Sequence, residues 1–318
     1  MTDAGDKTKE NLSVTRIAVG SNSLLTVAKL IVGLAMGSTA VIAEAIQSGV
    51  DLIAAIIAFW AVRKARRPAD GDHAFGHGKY DALSGAIEGV LIFGAAAMII
   101  VEAIRKIMRG GEVEQLGLGA GIMAFSAVVN FLVSAQLFRV AKRTNSVAVE
   151  ADGHHLRTDV WTSVGVLVGI LLIQFTGIQI LDPIAALIVA CLILKAAWDI
   201  TGKSFGELLD RRIPAADEKR IGEIIHDGHP HWIQFHELRT RRAGGFYHID
   251  LHLVTCSDLH LDQAHALTDD LENDIRREFP GAVIVSHLEP CDKPDEDCNG
   301  DCPLYPEKAG TRALKGKP

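Results

Sequence analysis

Aromatic side chains make up only 6% of this 318-residue chain, and cysteine occurs just five times. None of the cysteines falls in a segment expected outside the cell. An odd number so placed speaks against a disulfide framework and for a reducing compartment. A basic stripe is also lacking. From Gly206 onward there are 14 Lys and Arg against 22 Asp and Glu, a net charge of −8, while the residues before it sum to +1. An acidic half of this kind excludes nucleic acid as a partner and favours cations. No His-Glu-x-x-His occurs, so the arrangement that a metal-dependent hydrolase inside a membrane would need is missing and an enzyme is not expected. The opening MTDAGDKTKE is too polar and acidic for a cleaved signal peptide, so the first apolar segment is expected to stay in the membrane.

What the chain has in quantity is long apolar runs: 48% of it is hydrophobic and the mean hydropathy is +0.21. These runs end near residue 205, and a soluble, disordered or purely disulfide-held protein is excluded by them. A hydrocarbon core about 30 Å thick takes roughly 20 helical residues. Six segments qualify, at 13–36, 40–62, 83–107, 116–139, 158–177 and 180–203. Tight hairpins are expected at 37–39 and 177–179, and longer polar linkers at 63–82 and 140–155. Eight Lys and Arg lie on the linker side (Arg63, Lys64, Arg66, Arg67, Lys79, Arg139, Lys142, Arg143) against three opposite (Arg105, Lys106, Arg109). That asymmetry places both termini in the cytoplasm.

After Pro214 the pattern becomes that of a small α/β domain. Residues 215–227 and 260–279 read as helices; 236–241, 246–254 and 282–288 read as strands, with Ala243-Gly244-Gly245 as a turn. The resulting order is α-β-β-α-β. Residues 290–318 show no periodicity and read as a flexible tail. The expected organisation is therefore a cytoplasmic N-terminal tail at 1–12, a transmembrane domain at 13–205, a cytoplasmic metal-binding domain at 206–290 and a tail from 291.

All 13 histidines fall in the 63–82 linker, at the start of the fifth span or in the C-terminal domain. His155-x-x-x-Asp159 puts an imidazole and a carboxylate on one helical face, and Gln47-x-x-x-Asp51 repeats the spacing in the second span. Two such pairs facing each other supply one nitrogen and three oxygens, which suits a tetrahedral divalent cation. A carboxylate in a membrane costs about 2.5–3.5 kcal/mol on insertion scales, so an Asp there is functional by default. His154 faces about 100° away from its neighbour and is left out. Glu88, Glu102 and Asn130 are read as lining the bundle or reaching an interface.

In the linker, Asp70, His73 and His77 lie among glycines within eight residues, close enough to share an ion, although a solvated loop would look similar. In the C-terminal domain the 246–254 strand puts His248, Asp250 and His252 on one face. His236, His265, His287 and Glu289 come from the other strands and the second helix. Cys291, Cys298 and Cys302 alternate with Asp in the tail, at a spacing that matches no zinc knuckle.

These residues resemble the cation diffusion facilitator family, in its bacterial zinc and iron exporter branch. The likeness runs from about residue 12 to 291. It is carried by His155-x-x-x-Asp159, the loop at 70–79, Leu208-Leu209-Asp210-Arg211, His236-Glu237-Leu238-Arg239-Thr240-Arg241, Gln263-Ala264-His265 and His287-Leu288-Glu289-Pro290-Cys291. It implies an all-α six-helix transmembrane bundle with a C-terminal α+β ferredoxin-like cytoplasmic domain, working as a homodimer in the inner (plasma) membrane. The implied activity is export of a divalent metal in exchange for protons. Nitrogen with oxygen donors suits several metals, Cd²⁺, Co²⁺, Ni²⁺ and Mn²⁺ among them; Zn²⁺ is expected first and Fe²⁺ next.

By the family pattern Gln47, Asp51, His155 and Asp159 form the transport site, and Asp70, His73 and His77 a loop site. His236, His252, His265, His287 and Glu289 form a cytoplasmic site. Lys79 and Asp210 match a charge interlock between protomers. Gln47 departs from the usual Asp, which leaves two carboxylates to balance one dication; Glu289 also replaces the usual Asp. Gln47 keeps open a second reading, a non-transporting relative that senses metal or acts as a scaffold. A passive channel would instead conduct without proton coupling.

Overall fold

The computed structural model describes residues 2–36, 39–109, 118–176, 178, 180–228, 234–255 and 259–291. The chain forms two compact units, one built mainly on Thr2–Leu209 and one from Asp210 onward.

The first unit is a bundle of six helices: α1 (Thr2–Met36), α2 (Thr39–Ala65), α3 (Lys79–Arg109), α4 (Leu118–Thr144), α5 (Val147–Thr176) and α6 (Leu181–Leu208). Among the described residues, five of them (α1, α2, α3, α4 and α6) contain windows long and apolar enough to span a membrane. Large apolar side chains such as Leu24, Ile46, Val90, Met98 and Trp198 point outward. On a soluble protein such a surface would drive aggregation; against lipid it is solvated. Small residues set the closest approaches. A Cβ on Gly89 would sit 2.2 Å from Thr201 Oγ1, and one on Gly85 would sit 2.6 Å from Ser204 Oγ, so the glycine backbone of α3 packs directly against short side chains of α6.

The bundle corrects one reading of the sequence. The 140–155 stretch is not a linker, because α4 runs to Thr144 and α5 begins at Val147, with only Asn145 and Ser146 between. Asn145 takes a positive φ of 54°, the left-handed step that ends a helix. Ser146 Oγ then accepts the Val149 N–H at 3.3 Å, as an N-cap does. Asp81 of α3 completes the cap: its carboxylate accepts the Ser146 hydroxyl at 2.6 Å, the Val147 N–H at 2.6 Å and the Ala148 N–H at 3.3 Å. The first turns of α5 are polar in sequence yet buried, and hydropathy alone reads such turns as loop. The 63–82 linker shortens likewise, to 66–78. The expected hairpins at 37–39 and 177–179 lie largely outside the described residues.

The second unit holds α7 (Ala215–Gly228), β1 (Gln234–Ala243), β2 (Phe246–Thr255), α8 (Leu261–Glu278) and β3 (Val283–Pro290). This is the α-β-β-α-β order read from the sequence. The sheet order is β1-β2-β3, with β2 and β3 parallel. Gly244 and Gly245 have φ of 60° and 83°, the two positive values that a type I′ hairpin requires. β2 alternates: Tyr247, Ile249, Leu251 and Leu253 pack on Ile221 and Ile225 of α7 and on Leu267, Leu271 and Ile275 of α8. Each such side chain contributes about 1.5–3 kcal/mol by leaving water. The opposite face is left free to carry polar groups.

Candidate metal centres

In the bundle, α2 supplies Asp51 and α5 supplies His155 and Asp159, one turn apart. His155 Nε2 lies 3.0 Å from Asp51 Oδ1, and both residues are buried. One donor atom from each of Asp51, His155 and Asp159 falls within 4.8 Å of the others, the spacing of ligands around a single ion. Asn130 of α4, also buried, donates its Nδ2 to Asp159 Oδ2 at 3.3 Å and fixes that carboxylate. The sequence shows Asn130 as an isolated polar residue in an apolar span, which was its only signal. Gln47 stands at the rim: its side chain is exposed and its Nε2 donates to Asp51 Oδ1 at 3.4 Å. The structure thus brings three of the four expected residues within reach of one ion and gives the fourth a hydrogen bond to one of them. Glu102 is solvent- or lipid-facing beside Arg105 at 3.7 Å, while Glu88 is buried.

In the 66–78 loop, Asp70 Oδ1 accepts the backbone N–H groups of His73 at 2.8 Å and Asp72 at 3.2 Å. Those bonds, that of His73 first, hold its carboxyl below the usual carboxylate range, and the His77 charge acts in the same direction. Gly76 turns the chain back at a φ of 79°. His73 Nδ1 and His77 Nε2 then each stand 3.4 Å from an Asp70 oxygen, with the rings 4.4 Å apart. His77 is buried and its Nδ1 lies 3.3 Å from the Pro68 carbonyl, the kind of partner that orients a metal-binding imidazole.

On the open face of the sheet, Glu289 of β3 reaches His252 Nδ1 at 2.7 Å and His236 Nε2 at 3.0 Å. Parallel pairing sets His252 directly beside His287, whose rings stand 4.7 Å apart. His287 Nε2 is 3.7 Å from Glu289 Oε1. The hydrogen bond from His252 lowers the Glu289 carboxyl below its ordinary value, with His236 adding to it. His265 is not part of this cluster within one chain: it is exposed on α8, 3.6 Å from Asp269. Glu237 had no signal in the sequence. It takes a positive φ of 50° in β1, which interrupts the alternation and swings Oε2 to 3.7 Å from His252 Nε2.

Lys79 Nζ donates to the Leu208 carbonyl at 3.1 Å, and Asp210, at a φ of 56°, accepts from Arg241 at 3.0 Å. Cys298 and Cys302 lie outside the described residues, whereas Cys291 is tied to the sheet through its N–H and the Thr255 carbonyl at 2.9 Å.

Two families match the chain: "Cation efflux transmembrane domain" over residues 15–209 and "Cation efflux protein, cytoplasmic domain" over 213–291. The chain belongs to the cation efflux family. Among its relatives is an uncharacterized transporter of Synechocystis sp., 35% identical over 258 residues, which cover 81% of this chain and 83% of that protein. The cation-efflux pump FieF of Shewanella oneidensis is 32% identical over 276 residues, covering 87% and 93%. FieF of Pectobacterium atrosepticum is 32% identical over 290 residues, covering 90% and 96%. This cation efflux protein is accordingly a multi-pass membrane transporter, and the family resemblance and fold class expected from its sequence are borne out.

Proposed function

We propose that the protein exports a divalent transition metal from the cytoplasm in exchange for protons, with Zn²⁺ the preferred substrate and Fe²⁺ next. The reading rests above all on the cluster of buried Asp51 and His155 with half-buried Asp159, across α2 and α5. A neutral imidazole and two carboxylates carry −2, which matches one dication. Nitrogen with oxygen is a borderline donor set that suits Zn²⁺ and Fe²⁺ better than Ca²⁺ or Mg²⁺. Gln47 adds a neutral group beside Asp51 that cannot take a proton.

The ligands bind metal only when deprotonated, so metal entering from the cytoplasm displaces protons and protons from outside displace metal. Rocking of the bundle between the two openings would make this an exchange. The loop and sheet-face clusters are further metal sites, the latter tuning the equilibrium by binding one conformation better than the other. The protein works as a homodimer in the inner membrane with both termini cytoplasmic, an orientation supported by the eight-to-three excess of Lys and Arg on the linker side.

The test is metal uptake into proteoliposomes under an imposed pH gradient. Wild type takes up Zn²⁺ as protons leave, while Asp51→Ala and His155→Ala do not. Retained transport in either variant overturns the site, and uptake indifferent to the gradient overturns the exchange.

A further inference from the structure

The bundle buries a second set of acids that none of these sites uses. Glu88 on α3 and Asp152 on α5 are each 1% exposed. Among the described residues, Glu88 Oε2 and Asp152 Oδ2 are buried without a hydrogen-bond partner, and the other Glu88 oxygen receives the Ser84 hydroxyl at 3.4 Å. Register brings the two together. Asp81 is bonded to the first residues of α5, and α3 and α5, as alternate spans, run in the same direction. Glu88 lies two turns beyond Asp81, a rise of about 10 Å, and Asp152 lies about 7.5 Å beyond Val147.

The charges that act on Glu88 are Asp152 first and Asp81 second. From α6 the groups at this level are uncharged, Thr201 against Gly89 and Ser204 against Gly85. Asp152 in turn faces the charge of His155, one turn further along α5, and α2 contributes Asp51, bonded to that His155. Two buried carboxylates that act on each other's charge, with no cation among the groups acting on Glu88, are held most cheaply with one proton on the pair.

We propose that Glu88 and Asp152 form a proton-holding pair that carries one of the exchanged protons without touching the metal. The inference rests on the antiport reading above. A dication bound by Asp51, His155 and Asp159 raises the potential one turn away at Asp152. The carboxyl O–H of the pair then breaks, its proton passes to water and a carboxylate remains; when the metal leaves, the proton returns. The pair thereby supplies a titratable group that the neutral Gln47 cannot.

The experiment counts protons released as Zn²⁺ is titrated into the purified full-length protein near pH 6.5, by calorimetry in buffers of different ionisation enthalpy. The loop and sheet-face sites release their protons equally in wild type and variant, so the difference isolates the pair. Glu88→Gln is expected to release about one proton fewer per protomer while Zn²⁺ affinity changes by less than about threefold. Asp152→Asn gives the same deficit, and Glu88→Asp, which keeps a titratable group, restores the wild-type count. An unchanged count in a monodisperse Glu88→Gln protein overturns the proposal. A more than tenfold loss of affinity with the count intact also overturns it, by making Glu88 a ligand. If wild type in proteoliposomes moves metal without protons, the antiport reading falls and the pair with it. If wild type couples protons and Glu88→Gln keeps the full count, only the pair falls.

Discussion

The capping of α5 by Asp81 lends itself to a quantitative test. An isolated helix leaves its first four N–H groups unpaired. Here Asp81 takes those of Val147 and Ala148 and Ser146 takes that of Val149, while the Ser146 hydroxyl is itself held by Asp81. Asp81→Ala strands two buried N–H donors, each worth about 1–3 kcal/mol, so opening of the first turn of α5 should become easier by about 2–6 kcal/mol. At about 1.4 kcal/mol per decade, hydrogen-exchange protection of the 147–150 amides should fall roughly 30- to 20,000-fold. Asp81→Asn keeps one acceptor oxygen but loses the charge that favours a helix N-terminus, so it should cost about 1–2 kcal/mol, or roughly 5- to 30-fold. The assay is exchange measured by mass spectrometry on the intact protein, with peptides from α8 as the internal control. His155 and Asp159 lie two and three turns into α5, so Zn²⁺ affinity should weaken in the same order: Ala more than Asn. Protection at 147–150 within threefold of wild type in Asp81→Ala would refute the reasoning.

Gly89→Leu is expected to prevent α3 and α6 from closing, since even a Cβ would meet Thr201 Oγ1 at 2.2 Å; the check is loss of the monodisperse peak on size exclusion, partly regained with Thr201→Gly. Glu289 has a folded-state pKa lowered by His252 and His236, so the stability it contributes is present above its unfolded value of about 4.3 and is lost as pH falls through the folded one. Thermal melts of wild type and Glu289→Gln should therefore diverge near neutral pH and converge in acid; parallel curves down to pH 3 would contradict this.

The six spans and the α-β-β-α-β order were legible because each rests on a local signal: 20-residue apolar runs, period-2 alternation in β2, and the Leu267, Leu271, Ile275 stripe of α8. His155 and Asp159 were legible for the same reason, since four residues on a helix define a face. Contacts made across long separations were not. Asp81 and Ser146 are 65 residues apart, and neither departs from what a polar segment end looks like. The 140–155 stretch was misread because hydropathy reports which turns meet lipid, not where a helix begins. Glu237 was missed because a single residue of positive φ breaks the alternation from which facing is inferred. His265 fits the family's cytoplasmic pattern yet stands apart from His236, His252 and Glu289 within one chain.

The acids of the bundle are best understood by what compensates each charge. Asp81 is met by a helix N-terminus, Asp51 by His155 and the Gln47 amide, and Asp159 by Asn130. Each of those has a donor aimed at it and can remain an anion without a bound cation nearby. Glu88 and Asp152 differ: each keeps a buried oxygen with no donor, and the strongest charge acting on Glu88 is that of Asp152 itself. Burial of two ionised carboxylates, with only the His155 charge facing one of them, costs too much to persist as a by-product of packing, since two apolar residues of similar volume would be more stable at the same place. A pair that alternates between holding and releasing a proton escapes that objection, because it carries its second negative charge only while a dication is bound one turn away. The neutral Gln47 at the metal site and the presence of Glu88 on the next helix then belong to one charge balance.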